Sequence, residues 1–260
     1  MAYFPRRRQW LLAALLILFT LPAAAQIGAS LSAAPAVVNL QGKAGQTTTQ
    51  TLTVSNGTAM TMAFDMIAKD VAVRDGKRVF VNAGDLPGSI AATAVFSKRS
   101  VVVKAGEIGR VDVTVTIPPR PSGRAMVAFF QGTTKIPSGP VSATASLGIL
   151  FVFTLSDNIS IQARPLMIQP PTRSSNLTAS QECINDGTEP VVAKGILAIV
   201  DRAGRVVGKS GIPDHRLLPG ERMTMKTDYG GELTPGRYRA LVTYDLGPKS
   251  LTSTAEFQVR

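Results

Sequence analysis

Cysteine, histidine and tryptophan each occur once in this 260-residue chain, and aromatic residues make up only 6% of it. With Cys183 alone there is no internal disulfide, no thiol metal site and no cysteine behind the N-terminal apolar run to carry a lipid. Cys183 itself, in the strand-like SQECI, reads as a small buried side chain. The single His215 sits in Pro213-Asp214-His215-Arg216, which excludes multi-histidine metal sites and leaves one base for a triad. There is no G-x-S-x-G elbow. The stretch GRVVGKS, residues 204–210, is one residue short of a phosphate loop, and Gly211 and Pro213 stop the helix such a loop requires. The sequence therefore predicts no enzyme activity, no cofactor and no metal.

Long apolar runs are scarce as well. The run at residues 10–21 falls short of the roughly 20 residues that a spanning helix needs. Arg6, Arg7 and Arg8 precede it and Pro22-Ala23-Ala24-Ala25 follow it, the order of a secretory signal, with cleavage expected after Ala25. No later segment is long and apolar enough to span a bilayer as a helix, so the mature chain is expected in the periplasm or outside the cell, without stable membrane insertion.

The charge is basic, 28 Lys and Arg against 17 Asp and Glu for a net +11. Residues 1–25 hold three of the arginines and no acid, which leaves 25 bases against 17 acids, or +8, after cleavage. These bases are scattered, and no basic run interleaves with aromatics, which argues against nucleic acid as a partner.

What the chain does have is strand grammar. No window of helical length shows a 3.6-residue apolar period, whereas β-branched residues alternate between turns throughout. In the first half the extended stretches are residues 36–40, 49–55, 62–73, 78–82, 101–104, 110–117 and 125–131, with Asn56-Gly57 reading as a hairpin turn. Residues 177–184, 191–200, 205–208, 222–227, 236–244 and 254–259 repeat the pattern in the second half. Between the halves Pro165, Pro170 and Pro171 lie in a polar stretch. The expected fold class is all-β, two immunoglobulin-like antiparallel β-sandwich domains: 26–157, a junction at 158–175, and 176–260.

The halves also correspond internally. Ala105-Gly106-Glu107 leads to Gly123-Arg124-Ala125 as Pro219-Gly220-Glu221 leads to Gly236-Arg237-Tyr238, and Asn56-Gly57-Thr58 matches Asn185-Asp186-Gly187-Thr188. Two diverged copies of one module account for this pattern.

The longest strand signal, residues 141–155, closes the first half. Leu147, Ile149, Phe151, Phe153 and Leu155 fall on alternate positions and so share one face, while Leu150 and Val152 make the other face partly apolar. Residues 146–155 contain neither Lys nor Pro, the residues that blunt exposed strand edges. The stripe reads either as plain core or as an edge offered to another chain.

A signal peptide, two such modules, a proline-containing junction and an alternating apolar closing strand resemble the periplasmic (PapD-like) chaperones of fimbrial pilus assembly. Phe129, Phe130, Ile136 and Pro137 match the stretch that precedes the closing strand in that family, with Gly132 and Thr134 where it has Asn and Arg. The resemblance implies that Leu147, Ile149, Phe151, Phe153 and Leu155 bind an exported pilin-like subunit by β-strand addition. It also implies an Arg and a Lys that hold the subunit's terminal carboxylate, but those positions fall at Pro35 or Ala36 and near residues 150–152, which are apolar here. Arg164, at the junction, is the cation expected to reach the cleft instead. Self-association through the same edge is the other partner reading, and a structural or adhesive cell-envelope protein without catalysis is the alternative function.

Overall fold

A computed structural model describes residues 30–135 and 142–260; the expected signal peptide, with Ile136 and Pro137, lies outside the described residues. Among the described residues the first half forms β1 (Leu31–Ala34), β2 (Val37–Gln41), β3 (Thr47–Asn56), β4 (Met62–Arg74), β5 (Lys77–Asn82), β6 (Val95–Phe96), β7 (Ser100–Val103), β8 (Ile108–Thr116), β9 (Ala125–Lys135) and β10 (Ser142–Thr154). These make two facing sheets, β1-β3-β8-β6 and β2-β10-β9-β4-β5, with β7 also pairing β4. Alternation decides the faces. Along β8, Val111, Val113 and Val115 are buried, while on the outer face Thr114 and Thr116 meet Thr49 and Thr47, hydroxyl to hydroxyl at 2.8 Å. Leu52, Phe64, Phe130, Ile149, Phe151 and Phe153 fill the space between the sheets.

One pair departs from the expected antiparallel plan. The chain enters on β1, which pairs β3 in one sheet, then crosses at Pro35 to the other sheet, where β2 runs parallel to β10.

The second half forms β11 (Gln162–Ala163), β12 (Met167–Gln169), β13 (Leu177–Ile184), β14 (Val191–Val200), β15 (Val206–Leu217), β16 (Arg222–Tyr229), β17 (Gly236–Asp245) and β18 (Ser250–Val259). One sheet joins β11, β12 and β16 to β13, and the other has the order β15-β14-β17-β18. Residues 158–175, expected as a junction, therefore contain two strands of this sandwich, with Ala163 opposite Cys183 and Ile168 opposite Ala179. Their prolines lie between strands rather than in a free linker: Pro165 separates β11 from β12, and Pro170 follows β12.

The internal repeat reappears as a shared hydrogen-bond plan. Asn56 is fully buried; its Nδ2 donates to the Met60 and Val103 carbonyls, and its Oδ1 accepts from Thr58 N–H. Asn185 is equally buried, with Nδ2 donating to the Glu189 and Leu217 carbonyls and Oδ1 accepting from Gly187 N–H. The backbone follows suit: Gly106 and Gly220 donate to the Asn56 and Asn185 carbonyls, while Asn56 and Asn185 donate to the Glu107 and Glu221 carbonyls. Asn56-Gly57 is thus not a hairpin turn. It joins β3 to β4 in the facing sheet, and the asparagine ties that corner down by bonding the carbonyls of two separate segments.

The two sandwiches meet over a small apolar cluster, with Val71, Ala125, Val127 and Val152 of the first against Leu218 of the second. Two ion pairs flank it. Arg78 binds Glu221 through Nε at 2.8 Å and Nη2 at 2.9 Å, and Arg124 Nε lies 3.2 Å from both oxygens of Glu189. Glu189 also accepts from Leu155 N–H at 2.9 Å and from Ser156 Oγ at 3.0 Å.

Candidate functional site: the edge of the closing strand

β10 is longer than the strand beside it. On one side β9 accompanies it from Ser142↔Lys135 to Val152↔Ala125, whereas on the other β2 begins only at Leu150↔Val37 and ends at Thr154↔Gln41. Leu150 N–H donates to the Ala36 carbonyl, and the Thr154 carbonyl accepts from Gly42 N–H, so the even residues of β10 turn their backbone groups toward β2. By the two-residue period, the N–H and C=O of Ser146 and Gly148 point the same way, upstream of where β2 starts. Among the described residues no strand pairs with residues 145–148 on that side. The cause lies in the partner strand: the chain leaves this track at Pro35 to pair as β1 with β3, and vacates the line that β2 occupies further on.

The side chains named from the sequence divide along this strand. Ile149, Phe151 and Phe153 are 0% exposed and belong to the first sandwich's own core. Leu147 and Leu155 are partly buried and pack against that core. Of the five, only Leu147 falls on the open stretch, whereas Leu155 is held by its N–H on Glu189. The second apolar face of β10 has its own explanation, since Val152 and Leu150 lie in the cluster that meets Leu218 of the second sandwich.

Arg164 sits on the second sandwich, its Nε 3.8 Å from Glu182, which also lies 3.9 Å from Arg222. The arginine that reaches the first sandwich beside β2 is Arg216, whose Nη2 donates to Asn39 Oδ1 at 2.9 Å. Burial, together with the nearby Arg78 guanidinium, lowers the Arg216 pKa from its ordinary value. Nothing in the local sequence pattern singles out Arg216; it is brought there by the docking of the second sandwich on the first.

Two other residues shape the edge. A Cβ at Gly148 would lie 2.9 Å from Phe129 Cε1 and 2.9 Å from Val127 Cγ1, so the missing side chain makes room for the Phe129 ring over β10. At Gly132, where the resemblance expects Asn, a Cβ would come within 2.8 Å of the Phe64 ring, and the core excludes any larger residue. The described residues contain no group of His, Cys, Asp or Glu able to hold a metal, and no helix long and apolar enough to cross a membrane.

Solved structures that match most of this chain include several fimbrial chaperones. It is similar in structure to fimbrial chaperones. The class 5 fimbriae chaperone CfaA matches with a TM-score of 0.49 at 12% identity, covering 86% of this chain and 98% of that one. A chaperone–tip adhesin complex of CFA/I fimbriae gives 0.46 at 13% identity, over 88% and 98%. The SafB chaperone complex with the SafA pilin of Salmonella enterica gives 0.41 at 14% identity, over 88% and 96%. No family model and no curated protein matches the sequence.

Proposed function

We propose that the protein is a periplasmic chaperone-like binder of exported, pilin-type subunits, which takes up an extended segment of the subunit along the vacated edge of β10. The observation that carries this reading is that β9 accompanies β10 along residues 142–152 while β2 covers its other side only from Leu150. A row of backbone groups that no described strand pairs, on a strand already held by its neighbour and by a packed core, is a ready template for strand addition. The kind of partner comes from the sequence resemblance. Of the residues named from sequence, Leu147 contributes directly, and Ile149, Phe151 and Phe153 act by anchoring β10 in its own core so that the edge is rigid.

The test is a titration of the purified protein with a dye-labelled nonapeptide of alternating Val and Thr. The wild type is expected to bind it, and Ser146→Pro, which removes an outward N–H without disturbing the β9 ladder, is expected to lose binding. Equal binding by both proteins contradicts the proposal. A monomer–dimer equilibrium in sedimentation, abolished by Ser146→Pro, identifies a second copy of this chain as the occupant instead.

A further inference from the structure

An aromatic pair lies on the same sheet face as the vacated track, with one ring beside β10 and the other toward the far edge strand. Phe129, on β9, and Phe80, on β5, meet edge to face with ring centroids 5.3 Å apart. Phe80 is 59% exposed, among the largest apolar exposures of the described residues. Phe129 reaches across to β10, because Gly148 has no side chain to stop it. The ladder Ile67↔Phe129↔Gly148 and the pair Val71↔Phe80 place these residues on the outer face of one sheet, away from the first core.

The chain itself shows what this track takes. Where β2 occupies it, Val37 stands opposite Leu150 with its side chain on the outer face, packed into the cluster that holds Phe129, Val127 and Leu150. Val38, one residue on, points the other way and is buried in the first core. An added strand on the same line alternates in the same manner, so its outward side chains stand beside Ser146 and Gly148. Cross-strand neighbours, direct and diagonal, lie within reach of an aromatic ring, and an aromatic over a glycine offers the largest apolar surface to them.

We propose that Phe129, backed by Phe80 from the far side of the sheet, forms a specificity shelf, which selects a bulky apolar side chain at an outward-facing position of the extended segment bound along β10. The inference rests on the edge-binding reading and adds to it a requirement on the ligand: apolar residues on both faces of the segment at this point, not on the core-facing side alone. Burying one leucine-sized side chain on the shelf corresponds to about a tenfold gain in affinity.

The probe is a set of dye-labelled nonapeptides of alternating Val and Thr in which the central outward residue is Leu, Phe, Ser or Asp. The wild type is expected to bind the Leu and Phe guests about tenfold tighter than the Ser guest. Phe129→Leu, which keeps the site filled, is expected to cut that preference below about threefold, and Phe80→Ser, which removes the ring that backs Phe129, is expected to reduce it in the same direction, each leaving the Ser-guest affinity within about twofold. Equal affinities for all guests on the wild type, or a preference that survives in both variants, overturns the shelf. If Ser146→Pro abolishes binding while guests rank equally, the edge stands and the shelf alone fails. If the wild type binds none of the peptides, the edge reading fails and the shelf with it.

Discussion

Glu189 gathers Arg124, Leu155 N–H and Ser156 Oγ onto one carboxylate that is 1% exposed, and its own carbonyl is held by Asn185. Removing it deprives a guanidinium whose side chain is 18% exposed of its counter-charge, and leaves two further donors without their acceptor. Glu189→Ala is expected to lower stability by about 3 kcal/mol, read as a shift in the urea midpoint. The paired asparagines make a second test. Each satisfies two carbonyls and anchors a corner between sheets, so Asn56→Ala and Asn185→Ala should each cost about 2–3 kcal/mol; a loss from only one of them would contradict the equivalence of the two corners. Cys183 provides an internal reporter. It is 0% exposed, and burial pushes its thiol pKa up; burial chiefly raises that of Tyr244 as well. A thiol reagent at pH 8 should label it only as the second sandwich opens, with a rate that rises with urea in step with unfolding.

At the scale of the element, the two-residue alternation made the faces of strands legible but left their edges unread. β13 and β14 run over the residues that the alternation marks, because both faces of each are set by local pattern. β15 continues well past residue 208, through Pro213, against the usual reading of proline as a stop. It lies at the margin of its sheet, and a strand there can lack one N–H without breaking a ladder. In β10 the stripe from Leu147 to Leu155 correctly marked one buried face. Which residues of that stripe lie on an open edge depends on where β2 begins, and that is set by the crossing at Pro35, far away in sequence. Phe129 over Gly148 was invisible for the same reason, since it arises from a pairing between strands. It yields a direct expectation: Gly148→Val, whose Cβ would lie 2.9 Å from Phe129 Cε1 and Val127 Cγ1, should destabilise the first sandwich by about 1–3 kcal/mol in chemical denaturation.

At the scale of the whole molecule, the two sandwiches are joined by an apolar cluster, two arginine–glutamate pairs and a backbone bond from Arg222 N–H to the Gly76 carbonyl. Calorimetry should therefore show a single transition, and Leu218→Asp, which puts a charge into the shared cluster, should split it into two. Trypsin is expected to cut first at the exposed Arg173, between β12 and β13, and the fragments should remain together because β12 stays paired in the sheet with β13. This rigid frame holds the β10 edge in place, and the central claim is that the edge receives a strand. Residue-resolved amide exchange of Ser146 and Gly148, with and without the Leu-guest nonapeptide, tests it most directly. Strand addition predicts that both amides exchange fast in the free protein and slow at least about tenfold on saturation, while the β9-paired amides of Leu147 and Ile149 are slow in both states. Unchanged exchange at Ser146 and Gly148 under saturating peptide would contradict the account.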